Sequence, residues 1–185
     1  MTITVIEFIT LDGIISDPDG SGGTAGGGWA FRYGPDSVAG DKFRLGPILD
    51  DGVLLLGRQT WQLFATIWPG RDDPFAARMN AVPKLVASRS LSDVSAWPGS
   101  ELITGDLVEV IKSEHHDVVV AGSLSVVRSL AAVDLIDEYR LLTFPIVIGS
   151  GDRLFPDDAT VELECVSVEQ SGAAVLSRYA RPVGR

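Results

Sequence analysis

The stretch Val53-Leu54-Leu55-Leu56-Gly57-Arg58-Gln59-Thr60-Trp61 decides how the chain folds. Four consecutive apolar residues predict a strand buried on both faces, as in the middle of an α/β sheet. Gly57 ends the run, and its missing side chain lets the backbone turn or lets another group approach closely. Arg58 then offers a planar cationic fork, and Thr60 can cap a helix that begins near Trp61. A strand feeding a helix N-terminus, with Gly, Arg and Thr at the junction, is a suitable place to hold a phosphate. The same residues would also make an ordinary strand-to-helix turn with a solvated arginine.

The pattern returns downstream. Val118-Val119-Val120-Ala121 predicts a second buried strand, and Gly122-Ser123 breaks it into a helix running through Ala132. Two such junctions in one open sheet can grip the two ends of a diphosphate, since ligands gather beyond the carboxyl ends of parallel strands. Ser88-Arg89, after the strand Lys84 to Ala87, places a hydroxyl and a guanidinium at a third strand end.

Around these strands the rest of the chain alternates. Thr2 to Thr10 predicts a first strand ending at Leu11-Asp12-Gly13, with Ile14 and Ile15 returning to the interior. Asp17 to Gly28 holds six glycines and predicts a long flexible loop, either a flap over a site or plain surface. It contains neither a GxGxxG between strand and helix nor a Lys-Ser/Thr ending, so neither nucleotide-loop motif is present. Helices are expected over Asp36 to Leu49, interrupted at Gly46-Pro47, from Gln59 to near Trp68, over Asp73 to Asn80, and from Asp106 to about Ser113. Ile136 to Ile148 predicts a long strand with an edge or bend at Pro145. Val161 to Glu169 and Ala173 to Tyr179 predict a closing antiparallel hairpin through Ser171-Gly172. Strands alternating with helices, then a hairpin, predict a three-layer α/β fold with a mixed, mostly parallel sheet.

With 185 residues, 45% of them hydrophobic, the chain is long enough for one domain with a real core. A net charge of −10 argues against nucleic-acid or anionic-membrane surfaces, but a few focused arginines can still hold a small anion. Cys165 is the single cysteine, which excludes an internal disulfide and suits the cytoplasm. No apolar run approaches membrane-spanning length. His115-His116 are adjacent rather than four apart, and no Cys/His cluster suggests a metal. There is no GxSxG and no cysteine beside a plausible base. Gly149-Ser150-Gly151-Asp152 suits either a carboxylate-bearing loop or a tight turn.

Gly57-Arg58-x-Thr60-Trp61, Gly122-Ser123, Thr10-Leu11-Asp12-Gly13-Ile14-Ile15 and Pro145-Ile146-Val147-Ile148-Gly149-Ser150-Gly151…Leu154-Phe155 occur in one order along the chain. Together they resemble the dihydrofolate reductase superfamily, and within it the C-terminal reductase domain of the bacterial riboflavin-biosynthesis deaminase-reductase. The resemblance runs from about Ile3 to Tyr179, without a deaminase domain. It implies a dihydrofolate-reductase-like fold with an eight-stranded mixed sheet, and NADPH as cofactor.

The resemblance assigns roles residue by residue. Gly57, Arg58 and Thr60 would hold cofactor phosphates, and Ser88 and Arg89 would meet the adenosine 2′-phosphate. Gly122 and Ser123 would lie under the diphosphate, and Leu11 to Ile15 against the nicotinamide. Gly151 and Asp152 belong to the loop after the long strand, which places Thr143 on the strand lining the substrate pocket. Asp41, with Asp36 as the lesser candidate, matches the acidic residue that helps protonate a pterin. No arginine is assigned to a folate-type tail; Arg71 or Arg78 would either meet an anionic tail, such as a ribityl phosphate, or be solvated. The expected partner is a small molecule of pterin, pyrimidine or ribityl type, and the expected assembly a homodimer. A non-catalytic ligand-binding or sensing protein on the same fold is the alternative.

Overall fold

A computed structural model describes residues 1–157 and 159–182. Eight strands form one sheet: β1 (Ile3–Thr10), β2 (Val53–Gly57), β3 (Lys84–Ala87), β4 (Ser100–Leu102), β5 (Val118–Val120), β6 (Glu138–Phe144), β7 (Glu164–Ser171) and β8 (Ala174–Ala180). Their order is β4-β3-β2-β5-β1-β6-β8-β7, with parallel ladders from β4 to β1 and an antiparallel β6-β8-β7 end. This is the mixed, mostly parallel α/β sheet with a C-terminal hairpin that the sequence predicts. Helices α1 (Pro47–Asp51), α2 (Arg58–Ile67), α3 (Pro74–Ala81), α4 (Leu107–Lys112) and α5 (Leu124–Ala131) connect the parallel strands.

By packing, the chain forms two compact units, and β1 gives its first residues to one and the rest to the other. The first unit comprises Met1–Val5 and Leu45–Asp137. Leu54, Leu55 and Leu56 of β2 and all three valines of β5 are completely buried. Such runs suit strands with both faces covered, where alternation would leave polar groups unpaired. Its helices start where the sequence supplies caps. The Asp73 carboxylate accepts from Phe75 N and Ala76 N with Pro74 in the first turn, and Asp106 does the same for Val108 N and Glu109 N.

The second unit comprises Ile6–Arg44 and the chain from Glu138 onward. Its core gathers Trp29, Ala30, Leu142, Phe144, Ala174 and Leu176, with Phe8, Tyr33, Val38 and Phe43 packed against them. Phe8 stacks on Phe43 at 5.4 Å and meets Phe144 edge-on at 5.5 Å, which fixes the side of the strands that the 29–44 segment covers.

Two expected elements come out shorter. The helix over Asp36 to Leu49 is replaced by a single 3-10 turn at Pro35–Ser37 and the short α1. Gly40 and Gly46 adopt positive φ and Arg44 sits at φ 54°, conformations an α-helix cannot contain. The long strand stops at Phe144, because Pro145 cannot donate to a ladder.

The glycine-rich loop is more organised than its composition predicts. Asp17 adopts φ 54°, and its carboxylate accepts from Gly22 N, Thr24 N and Thr24 Oγ1 at 2.7–2.9 Å. Its carbonyl also accepts from Gly20 N and Gly28 N.

Candidate functional site

In the first unit, three strand ends lie side by side. The β2/β3 register pairs Gly57 with Ala87, so Arg58 and Ser88-Arg89 leave adjacent strands at the same level. On the other side of β2, Leu55 pairs with Val120, and Gly57 N donates to Gly122 O at 2.9 Å. Gly57 cannot carry a side chain here: a Cβ would lie 2.0 Å from Ser123 Oγ and 2.9 Å from Ser123 N. The close approach expected at Gly57 is therefore that of the second junction. The Gly122-Ser123 peptide bond is cis.

Helix α2 starts at Arg58 with Gly57 as its N-cap, one residue before the expected Gln59, so Thr60 lies in the first turn and does not cap. Helix α5 starts after Ser123. Neither terminus has a side-chain cap, in contrast to the aspartate-capped α3 and α4. Helix N-termini carry partial positive charge on amides that want an acceptor.

Arg58 is exposed and, among the described residues, bonds only to Gln62 Oε1, at 3.2 Å. Arg89 is exposed and has no hydrogen-bond or ion-pair partner among the described residues. Arg44, Arg71, Arg78, Arg140 and Arg178, by contrast, each pair with a carboxylate. In a chain of net charge −10, two arginines with no acid among the described residues, at adjacent strand ends, make a local anion-attracting spot. Ser88 Oγ accepts from Ser90 N and Leu91 N, which shapes the turn that presents Arg89. Arg71 and Arg78 are held by Asp73 and Asp50.

In the second unit, the loop after β1 is stitched to the loop after β6. The Asp12 carboxylate accepts from Thr10 Oγ1 at 2.6 Å and from Gly149 N at 2.8 Å. The Thr10 hydroxyl bond, with the amides of Gly149 and Ile148, holds the Asp12 carboxyl below the usual carboxylate range. Ile15 N donates to Asp152 O, Asp152 N donates to Ser16 Oγ, and Leu154 N donates to Gly13 O. Gly151 has no room for a side chain, since a Cβ would lie 2.5 Å from Ser16 Oγ. Leu11, Ile15, Gly151 and Asp152 are thereby gathered in one place, with Ile15 buried and Leu11 64% exposed. An exposed leucine on a loop this firmly tied offers an apolar surface to a flat ring.

The two residues expected on the substrate side are not brought together. Asp41 lies outside any helix, in the segment packed on the Phe8 side of the strands, and its carbonyl accepts from Arg44. Thr143 precedes Phe144 on β6 and therefore faces the opposite side.

Two charged residues within strands, one buried and one half-buried, escape a pattern-based reading. Lys84 opens β3 fully buried, and Glu7 stands in the middle of β1. The signal for both was present: a lone charge inside an apolar strand. Burial pushes the Glu7 carboxyl up to about 8. Among the described residues, no group of His, Cys, Asp or Glu could hold a metal ion, and no helix is long and apolar enough to cross a membrane.

Comparison with known proteins agrees with this architecture. The family model of the RibD C-terminal domain matches residues 1–177. The uncharacterized protein YyaP of Bacillus subtilis is 26% identical over 132 residues, covering 67% of this chain and 70% of that protein. A proposed riboflavin biosynthesis protein from Shewanella sp. PV-4 superimposes with a TM-score of 0.75 at 22% identity, covering 98% of this chain and 99% of the other. A pyrimidine reductase-like protein from Corynebacterium diphtheriae superimposes with a TM-score of 0.64 at 15% identity, covering 97% and 91%.

Proposed function

The chain belongs to the RibD C-terminal domain family, and from that premise we propose that it is an NADPH-dependent reductase of a pterin-, pyrimidine- or ribityl-type small molecule. The observation that carries the proposal is the set of three adjacent strand ends. Gly57 and Ser123 bring two strand-to-helix junctions into direct contact, with no room for a side chain at Gly57, so that two helix N-termini without side-chain caps start side by side. Arg58 and Arg89 stand at these strand ends without acidic partners among the described residues. A dinucleotide diphosphate and a 2′-phosphate have the charge and the acceptors this arrangement lacks.

When bound, the reduced nicotinamide would supply a hydride; the protein's part is binding, orientation and proton handling. Gly57, Arg58 and Thr60 would hold cofactor phosphates, with Arg58 reaching the 2′-phosphate beside Ser88-Arg89, and Gly122 and Ser123 would lie under the diphosphate. The tied loop of Leu11 to Ile15, with Gly151 and Asp152, would support the nicotinamide, and Thr143 would line the substrate. A rigid platform matters because an ångström of misplacement at the reacting atoms costs about a hundredfold in rate.

Cofactor titration tests this reading. Arg58→Ala and Arg89→Ala should each weaken NADPH by about 2 kcal/mol, the scale of a charge-assisted hydrogen bond, and weaken NADH much less. Equal losses for both cofactors would show that these arginines do not read the phosphate. The separation of Asp41 from Thr143 favours one second reading, a protein that binds the cofactor without catalysis. It predicts tight NADPH binding and no NADPH oxidation with any folate, pyrimidine or quinone.

A further inference from the structure

We propose that Glu7 is the proton donor on the substrate side, a role that rests on the reductase reading above. Strand side chains alternate, and Phe8 packs on Phe144 and Phe43. Glu7 therefore points to the other side of the strands, the side on which Thr143 of the neighbouring β6 stands. If Thr143 lines the substrate, the carboxyl that β1 brings to that side is Glu7, whereas Asp41 belongs to the covered side.

The surroundings of Glu7 make little sense as packing. Ile3, Val5 and Ile9, its companions on the same side of β1, are buried and apolar. Glu7 is densely surrounded yet keeps some accessible surface, and among the described residues it has no hydrogen-bond or ion-pair partner. A carboxyl held this way costs folding free energy that a valine would not. On this side β6 and β8 present Tyr139 and Tyr179, and the exposed Cys165 of β7 lies beside Tyr179. The segment that meets Tyr139 through Phe155 carries Asp152, Arg153 and Asp157, and β5, beside the start of β1, carries only valines. With no cation bonded to it, Glu7 holds its proton at pH 7, because burial raises its pKa to about 8.

The step balances simply. A hydride from the reduced dinucleotide adds to the carbon of a C=N or C=O group, and the π pair moves to the nitrogen or oxygen. That atom takes the proton as the Glu7 O–H bond breaks, and the carboxylate left behind regains a proton from water. The dinucleotide is oxidised by two electrons and the substrate is reduced by two.

The test has one arm that needs no substrate. A hydrophobic carbodiimide, which attacks protonated carboxyls in apolar surroundings, is applied to the apo protein and the adduct located by mass spectrometry. Label should fall on Glu7 at pH 7, decline as pH rises through about 8, and vanish in Glu7→Gln. In the second arm, dihydrofolate, a uracil and a quinone are offered with NADPH. Glu7→Gln should lower the turnover of whichever is reduced about a hundredfold, with NADPH affinity unchanged, and Asp41→Asn should not. Label on Asp41 instead of Glu7, full turnover by Glu7→Gln, or a wild type that reduces none of the three overturns the assignment. A wild type that labels at Glu7 but binds no NADPH shows that the reductase reading itself has failed.

Discussion

Lys84 shows what a single residue contributes at this sheet. Its ammonium donates to Asn80 O at 2.6 Å and Pro98 O at 3.0 Å, and lies 4.6 Å from the centre of the Trp97 ring. Trp97 Nε1 in turn donates to Asn80 Oδ1, so the lysine holds together the turn below β3. Among the described residues no carboxylate compensates the charge, and burial lowers its pKa to about 8 from an ordinary 10.5. The unfolded chain therefore keeps a proton between pH 8 and 10.5 that the folded protein has released, so stability rises with pH across that window. The gain is up to about 3 kcal/mol at 1.36 kcal/mol per unit. Urea midpoints from pH 7 to 10.5 should show it against Lys84→Met, in which that rise is missing. Parallel pH curves for the two proteins would mean that the ammonium is effectively solvated.

At the scale of elements, charge again decides what holds together. Glu138 at the head of β6 accepts from Arg140 Nε at 3.1 Å and Arg178 Nε at 2.6 Å, while Arg140 Nη1 donates to the carbonyls of Phe43 and Arg44. Burial pushes the Glu138 carboxyl up, but the bonds from Arg178 and Arg140 outweigh it and hold it below its ordinary value. Glu138→Ala would leave two arginines unpaired, Arg140 buried, and should cost about 3–5 kcal/mol in urea melts. A loss below about 1 kcal/mol would mean that water replaces the carboxylate. The strands and capped helices were legible in the sequence because periodicity and capping chemistry are local: three valines make β5, and Asp73-Pro74 starts α3. The segment 36–49 was not, since tertiary bonds from Arg140 stabilise an irregular path that no local pattern announces. Two of the three strand ends were legible as glycine junctions and the third by Ser88-Arg89, but their adjacency rests on register, which a strand cannot state alone. Glu7 stayed hidden because its meaning lies in which side of β1 it occupies and in the absence of a partner.

At the scale of the whole molecule, the sheet ends on β7, a strand that water reaches almost throughout. Val166 and Val168 are 52% and 60% exposed there, and Val175 of β8 is 38% exposed. An edge strand with free ladder groups and outward valines invites pairing with another chain unless charge or a bulge protects it. The bulge between Cys165 and Ser167 guards one end of β7, but Val168 to Ser171 pairs regularly with β8. We expect this edge to be covered by a second copy of the chain, giving a homodimer of about 39 kDa from two 19.7 kDa protomers. Covering these valines would recover apolar burial at about 25 cal/mol per Å², against the repulsion of two chains of charge −10. Higher salt screens that repulsion, so the dimer should tighten between 0.05 and about 0.5 M salt. Val168→Lys places a cation on the contact and should shift light-scattering mass toward the protomer without changing the far-UV spectrum. A wild-type mass of 19.7 kDa at micromolar concentration in both salts would show that the edge is left open to water.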